Sequence, residues 1–435
     1  MTALTARIRD EFASAAHALP SGDPAAANRR AALAALERAG LPSSRDENWK
    51  YANLRSLERV RFLPAPAVPA LPSAADLPAP LPGIARLVFI DGHFAPAHSA
   101  APEAGAAAVT LLSQAADARC AGADGQRAAD AMDERFALLN EAFATDGLAI
   151  EVREASAVPV QLEVLFVASA EAQAHASYPR LEVRLAPGTE LTLLERHLSA
   201  GAPASFVASA ARITLERGAH FEHYRVQQLN SRSTLFDTLS AVLAEDAAYR
   251  LHSISTGAQS ARTTLAVRLN GERADLALAI AALGDRQQVQ DAYAVVEHAA
   301  PNARTVQTFR GIAAGRSRVA CNGKIIVAPG ARGTDSRQSL RGLLAGPEAE
   351  IDVRPQLEIY TDDVRCSHGA TAGKLDENML FYLLSRGLER DTAQRLLKWA
   401  FLEDVIGQIA LQPLRRQIEE RLAGELRDEA LRELL

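Results

Sequence analysis

The sequence predicts a mainly β protein whose core is a parallel β-helix, or solenoid, flanked by N-terminal and C-terminal α-helical domains. Three observations lead to this class. Between residues 149 and 373, apolar residues alternate with polar ones, which is the period of strands that bury one face. Turn signals interrupt the alternation about every 25 to 30 residues, and no helical pattern intervenes. A β-sandwich is the competing class, because it too consists of many short alternating strands.

The alternation defines the predicted strands, and turn residues define where each strand ends. A single coil of a solenoid cannot bury its apolar stripe alone, so neighbouring coils stack and share one core. The alternating residues include Leu181, Val183 and Leu185; Ile213 and Leu215; Leu265, Val267 and Leu269; Ile325 and Val327; and Leu357 and Ile359. The recurring turns are Pro187-Gly188, Arg217-Gly218, Glu245-Asp246 and Asn270-Gly271.

The patterns along the chain divide it into five regions. In the first region, Trp49 and Tyr51 are expected to anchor the helices to the body, since aromatic side chains dominate packing. In the last region, Asp376 is expected to cap one helix, and Asp391 with Gln394 resembles a capping box at the next. The regions are an N-terminal helical domain (1–62), a Pro-rich linker (63–83), a mixed α/β connecting region (84–148), the parallel β-helix core (149–373) and a C-terminal helical domain (374–435).

Composition excludes several classes of function. The formal net charge is −6, and no basic stripe with interleaved aromatics is present, so no nucleic-acid partner is expected. No uncharged apolar run is long enough for a membrane span, and charged residues near the N-terminus exclude a secretory signal. Three dispersed cysteines, Cys120, Cys321 and Cys366, cannot form a disulfide framework. A reducing, cytoplasmic location is therefore predicted.

The motifs of self-sufficient enzymes are missing from the sequence. The stretch from Gly369 to Leu375 approaches a phosphate-binding P-loop, but it is one residue short and has Leu375 at the hydroxyl position. Asp362 and Asp363 are adjacent carboxylates, which would face opposite sides of a strand and could not share acid–base work. No catalytic residues are assigned, and the chain is expected not to be an enzyme.

One segment near the end of the β region carries candidate chemistry. If the chain is extended there, Cys366 and His368 lie two residues apart and project from the same face. A thiolate beside an imidazole can bind soft iron or accept sulfur, and a protonated histidine would lower the pKa of the thiol. An iron–sulfur cluster needs about four ligands, so a second chain would have to supply the others. The alternative is a buried, inert cysteine beside a hydrogen-bonded histidine.

This segment resembles the signature of the SufB/SufD family, scaffold subunits of the Suf iron–sulfur cluster assembly complex, and within it the D-type (SufD) branch. The resemblance continues into Phe381, Tyr382 and Arg386, and an earlier stretch is similar to the family's N-terminal signature. The B-type subunits carry His-Glu-Ala-Thr where this chain has His368-Gly369-Ala370-Thr371. The two resembling segments are Glu47-Asn48-Trp49-Lys50-Tyr51 and Pro355-Gln356-Leu357-Glu358-Ile359-Tyr360-Thr361-Asp362-Asp363-Val364-Arg365-Cys366-Ser367-His368-Gly369-Ala370-Thr371.

The resemblance implies a right-handed parallel β-helix and a function that depends on partners. The expected partners are a SufB-like homologous subunit, which joins end to end, and a SufC-like ABC-type ATPase, which docks on the C-terminal helices. A homodimer is the alternative assembly for the isolated chain. The expected cluster-assembly interface and transient metal ligands are His368 and Cys366, and the expected docking residues are Phe381, Tyr382, Arg386 and Phe401.

The implied cargo is a nascent iron–sulfur cluster shared with the partner, and no other cofactor is indicated. Cys120 and Cys321 match no motif and are treated as small apolar residues. Two other functions stay open from the residues alone. One is a purely structural interaction subunit without cluster ligands. The other is a β-helix carbohydrate-active enzyme, for which Asp362 and Asp363 would supply the carboxylates.

Overall fold

The computed structural model of the chain describes residues 3–20, 23–67, 77–100, 102, 107–114, 133–156 and 159–425. Cys120 lies outside these residues. Within the described ranges, no helix is both long and apolar enough to span a membrane. The α-helices are α1 (Ala3–Ala15), α2 (Asp23–Ala39), α3 (Arg135–Phe143), α4 (Glu377–Ser385), α5 (Arg390–Ile406) and α6 (Gln412–Glu425), and 3-10 helices span Glu47–Trp49, Leu54–Glu58 and Pro96–His98.

Strands make up most of the rest of the described chain. In chain order they are β1 (Ala85–Ile90), β2 (His93–Phe94), β3 (Ala107–Leu111), β4 (Leu148–Val152), β5 (Val160–Ala168), β6 (Ala176–Ser177), β7 (Arg180–Leu185), β8 (Glu190–Ser199), β9 (Phe206–Leu215), β10 (His220–Gln228), β11 (Thr234–Leu243), β12 (Ala248–Thr256), β13 (Ser260–Leu269), β14 (Asp275–Gly284), β15 (Val289–His298), β16 (Arg304–Ala313), β17 (Arg318–Val327), β18 (Thr334–Leu344), β19 (Glu350–Ile359) and β20 (Val364–Gly373).

These strands form two facing sheets in which neighbours are alternate strands of the chain. Sheet 1 has the order β2-β1-β5-β8-β10-β12-β14-β16-β18-β20, and sheet 2 has the order β19-β17-β15-β13-β11-β9-β7-β4-β3, with β6 beside β9. Among the described strands, only the β1–β2 and β3–β4 pairs are antiparallel. Parallel neighbours from successive coils define a solenoid and exclude the β-sandwich. The predicted mainly β, parallel β-helix class with helices at both ends of the chain is confirmed.

The core lies between the two sheets, where inward side chains stack in columns. Leu191 pairs with Phe221, Phe221 with Tyr249, and Tyr249 with Leu276 in the parallel register of sheet 1. All four are essentially inaccessible to solvent. Burying a side chain of this kind contributes about 1.5–3 kcal/mol, so each coil is stabilised mainly by the next one.

The turns between coils follow the sequence signals. Gly188 and Gly218 have positive φ angles of 68° and 67°, which glycine adopts without strain. Gly271 is required for a different reason, since a Cβ there would lie 1.8 Å from the backbone nitrogen of Glu245 in the preceding coil. Strand β1 lies in the predicted connecting region, yet it pairs in parallel with β5 and belongs to sheet 1.

The N-terminal helices cover the outer face of sheet 2. Trp49 is buried there, and its indole N–H donates to Asp133 Oδ2 at 2.5 Å. The guanidinium of Arg262, from the outer face of β13, lies 4.5 Å from the Trp49 ring centroid. Tyr51 is only half-buried. Trp49 therefore anchors this region to the solenoid, as predicted, with Arg262 as its partner.

The C-terminal helices α5 and α6 cover the outer face of sheet 1. Their apolar side chains join one cluster with residues of β8 to β18. The Asp376 carboxylate accepts from the amides of Asn378 and Met379 and caps α4, as predicted. The predicted capping box at Asp391 is wrong, because the N-cap of α5 is Glu389, without a side-chain hydrogen bond. The apolar residues that α5, α6 and the turn between them contribute are Leu402, Val405, Ile406, Ile409, Leu414, Ile418 and Leu422.

A charged network is buried inside the solenoid between β8, β10 and β11. The Arg225 guanidinium donates to Asp237 and to both oxygens of Glu195, at distances from 2.6 to 3.0 Å. His197 and His223 also hydrogen-bond to Glu195, at 2.7 and 3.1 Å. Burial opposes ionisation of Glu195, but the Arg225 charge and the histidine hydrogen bonds outweigh it and hold its pKa well below the usual value.

Replacing Arg225 should destabilise the fold strongly. Arg225→Met leaves Glu195 and Asp237 buried without their countercharge, which typically lowers the free energy of unfolding by about 3–5 kcal/mol. Because the folded pKa of Glu195 is depressed, the stabilisation is present at neutral pH and is lost as the pH falls through that folded pKa. The difference between Arg225→Met and the parent chain should therefore shrink in acid, as measured by urea unfolding.

Arg273→Met is the matched control. Arg273 pairs with Glu245, Asp246 and Glu272, but all four side chains are about half exposed. Water screens such pairs, so little change in unfolding is expected. Equal effects of Arg225→Met and Arg273→Met would contradict a stabilising role for the buried network.

Candidate functional site

The last strand of each sheet, β19 and β20, forms what we term the open end of the solenoid. Among the described strands, none pairs with the outer edge of either one. The inward residues of β19, such as Ile351 and Val353, are only partly buried there. Ile359 and Tyr360 are 39% and 60% exposed. An apolar interior left exposed in this way is a surface that a further coil or a partner would cover.

The backbone of the open end presents unpaired hydrogen-bonding groups. The amides of Glu350 and Tyr360 donate to the carbonyls of Ser317 and Val327 on the side of β17, so the N–H groups of the odd-numbered residues of β19 face outward. Pro355 lies among these odd positions and has no N–H to offer, which is typical of an edge strand. The amides of Asp335 in β18 and of Ala345, which directly follows β18, donate to the carbonyls of Ala303 and Ala313 on the side of β16. The even-numbered residues of β18 therefore bond to the odd-numbered residues of β20, given the register of the two strands. The backbone N–H and C=O groups of the even-numbered residues of β20, Cys366 and His368 among them, face outward.

Cys366 lies on the interior side of the open end. It packs against the cluster formed by Ile325, Val327 and Ala331 and is half-buried. Burial raises the pKa of the Cys366 thiol above its ordinary value; a hydrogen bond from the Ser336 backbone opposes this, and the Asp335 carboxylate adds to it. The sequence-based expectation of a thiol pKa lowered by a neighbouring histidine is thus wrong for this chain.

His368 shares a face with Cys366 and is exposed. Cys366 pairs with Ser336 and His368 with Gln338, two positions apart on the parallel neighbour β18. The alternation of β20 therefore places the sulfur and the imidazole on one side of the strand, as the spacing predicted. They are two donors from one strand, and among the described residues no group of three or more His, Cys, Asp or Glu side chains is arranged to hold a metal ion.

The predicted docking residues occupy two environments. Phe381 and Tyr382 of α4 are 72% and 56% exposed, and the Arg386 guanidinium lies 5.3 Å from the Tyr382 ring centroid. Met379, which sequence reasoning did not single out, is 59% exposed on the same helix. Phe401 instead packs against the cluster beneath α5 and is half-buried. Helix α4 thus presents a strongly apolar surface, to which Phe401 does not belong.

The remaining candidates have structural explanations. Cys321 lies in the solenoid core and is fully buried, and burial raises the pKa of its thiol far above the ordinary value. It is the small apolar residue that was predicted. Asp362 and Asp363 are exposed in the turn between β19 and β20, where Asp363 Oδ2 lies 3.8 Å from Arg332 Nε.

Comparison with known proteins identifies the class of this chain. The family model described as the SufBD core domain of the SUF system for FeS cluster assembly matches residues 166–401. The chain is 32% identical over 397 residues to the iron–sulfur cluster assembly protein SufD of Escherichia coli, covering 91% of each chain. It is 28% identical over 406 residues to an iron–sulfur cluster assembly SufBD family protein of Synechocystis, covering 90% of this chain and 89% of the other.

The chain therefore belongs to the SufB/SufD family of iron–sulfur cluster assembly proteins. The matched region contains the open end and α4. Within the family the chain is of the SufD type, as the high coverage of the Escherichia coli protein indicates. The resemblance seen in the sequence is confirmed.

Chemical labelling should distinguish the described cysteines. With Cys120 replaced by serine, Cys366 should react with iodoacetamide in the native chain while Cys321 stays unmodified, because only Cys366 reaches solvent. Mass spectrometry of the labelled peptides measures both. Modification of Cys321 at the rate of Cys366 would show that the solenoid interior opens more readily than its packing implies.

Proposed function

We propose that this chain is a scaffold subunit whose open end joins a SufB-like subunit, so that Cys366 and His368 meet the partner's ligands at the seam. The observation that carries the proposal is the position of these two side chains on β20, one of the two strands of the open end whose outer edges no described strand covers. The nascent iron–sulfur cluster is the cargo of this site. Two donors from one chain cannot complete such a cluster, which agrees with a site shared between subunits.

The edge geometry supports an end-to-end union of solenoids. Outward-facing N–H and C=O groups of β19 and β20 can pair with added strands, as in β-augmentation. The exposed apolar interior around Ile359 would be buried by the same union. A homodimer of the isolated chain would use the same surface when the homologous partner is missing.

Helix α4 is the proposed contact for a SufC-like ABC-type ATPase. Its exposed Met379, Phe381 and Tyr382 form an apolar surface that monomeric proteins rarely leave uncovered. With no P-loop in the sequence, ATP hydrolysis is assigned to that partner and the chain itself is proposed to be non-enzymatic. A purely structural role is the competing function, because Cys366 also packs against apolar neighbours.

Substituting His368 should separate cluster formation from assembly. His368→Ala removes an exposed side chain that supports no described packing, so the complex should still assemble while the iron and sulfide it holds fall sharply. Ser367→Ala is the matched control, because Ser367 is an exposed neighbour on the opposite face of β20. Iron and sulfide analysis of the anaerobically isolated complex measures both. Unchanged cluster content would refute the assigned role, and normal content in a Cys366→Ala, His368→Ala double variant would select the purely structural function.

Substituting the apolar residues of α4 should weaken binding of the ATPase. Phe381→Ser with Tyr382→Ser removes two exposed aromatic rings, and interface residues of this type contribute about 2 kcal/mol or more, roughly 30-fold in affinity. Point variants are preferable to truncation, because removing α5 and α6 would uncover the apolar face of sheet 1. Calorimetric titration measures the affinity, with the exposed Lys374→Ala as control. Equal affinities of the two variants would place the ATPase contact elsewhere.

A further inference from the structure

Behind the open end lies a layer of buried polar side chains that the proposed function does not use. Ser336 and Gln338 of β18 are in register with Cys366 and His368. Both face the interior, Ser336 fully buried and Gln338 4% exposed. Ser336 Oγ and Gln338 Oε1 have no hydrogen-bond partner, although they are inaccessible to solvent. A buried polar atom without a partner typically costs about 1–3 kcal/mol, so such atoms call for an explanation.

The side-chain amide of Gln338 is held in one orientation. Its Nε2 donates to Gln307 Oε1 at 2.7 Å and to the Gly323 carbonyl at 3.0 Å. These partners lie on β16 and β17, the strands away from the open end. Gly323 allows this approach, because a Cβ there would lie 2.8 Å from Gln338 Nε2. With both amide hydrogens used on that side, the carbonyl oxygen is left as an acceptor for the remaining neighbour, β20.

The side chain that follows Gln338 in this column is His368. In-register residues on adjacent parallel strands have backbones about 4.8 Å apart, which is within reach for the ends of a glutamine and a histidine side chain. Within the described part of the chain, the imidazole of His368 makes no hydrogen bond, and the residue is exposed. Covering the open end would exclude water from both side chains and favour a direct contact between them.

We propose that Gln338 is a positioning residue, whose Oε1 accepts the ring N–H of His368 once a partner covers the open end. An imidazole has two distinct nitrogens, and the hydrogen bond made by one decides which is left with a lone pair. Gln338 would thereby direct the lone pair of His368 towards the seam. Histidines that bind metals are commonly oriented in this way by an acceptor behind them, and loss of that acceptor lowers affinity about 10- to 100-fold. The inference rests on the proposed role of His368.

The test uses two variants of the full chain in its complex with the partner subunits. Gln338→Met keeps the length of the side chain and removes the acceptor. Asn322→Leu is the matched control, since Asn322 is 3% exposed and its Oδ1 is also unpartnered, but its side chain lies on the outer face of β17. Iron and sulfide content give the yield, and the ¹⁵N chemical shifts of the His368 ring give its tautomer, assigned by subtraction with His368→Ala.

Gln338→Met should lower the cluster yield at least tenfold and convert His368 from one tautomer to a mixture. Asn322→Leu should change neither. Equal behaviour of Gln338→Met and Asn322→Leu in both measurements would overturn the inference. If Gln338→Met does not fold, the ring shifts in the parent complex decide: a single hydrogen-bonded tautomer supports the contact and a mixture overturns it.

Failure of the proposed function of His368 and failure of the positioning role of Gln338 give different results. If His368→Ala leaves the yield intact, the proposed function of His368 fails together with this inference. If His368→Ala lowers the yield while Gln338→Met does not, only the positioning role fails.

Discussion

The in-register stacking of coils is the constraint on which the rest of the structure depends. Each coil buries its inward side chains on the next one, so an interior column such as Leu191, Phe221, Tyr249 and Leu276 is stable only while it continues. At one end, both sheets finish in antiparallel strands, β2 and β3. At the other end, β19 and β20 finish with outer edges that no described strand covers. The solenoid is therefore asymmetric, and its unfinished end carries Cys366 and His368.

The open end is not covered by α5, α6 or the N-terminal helices, because these helices pack on the outer faces of the two sheets. Arg262 and Trp49 attach the N-terminal helices to sheet 2, and an apolar cluster around Leu402 and Ile406 attaches α5 and α6 to sheet 1. Among the described helices, only α4 keeps large apolar side chains exposed, Phe381 and Tyr382 among them. The described chain thus presents two uncovered surfaces, the open end and α4, which are the two that the proposed function uses.

The sequence predicted the strands well and the polar interior poorly. Apolar alternation such as that of Leu181, Val183 and Leu185 predicts strands directly. The spacing of two residues in a strand also predicts that Cys366 and His368 share one face. The Glu195–Arg225–Asp237 network was missed, because these residues are distant in the chain and meet only through the register of the coils. Gln338 was missed for the same reason, since one glutamine in a polar stretch gives no local signal. The capping box at Asp391 was wrong because α5 begins at Arg390 with Glu389 as its N-cap, so Asp391 lies inside the first turn.

Hydrogen exchange at the open end tests the central claim most directly. In the isolated chain, the amides of Ile351, Val353, Cys366 and His368 face outward and should exchange rapidly, while inner strands such as β12 stay protected. Adding the SufB-like subunit should protect these outward amides and leave the exposed turn amides of Asp362 and Asp363 comparatively unchanged. If the partner binds and the amides of β19 and β20 exchange as fast as before, the site does not lie at a seam between solenoids.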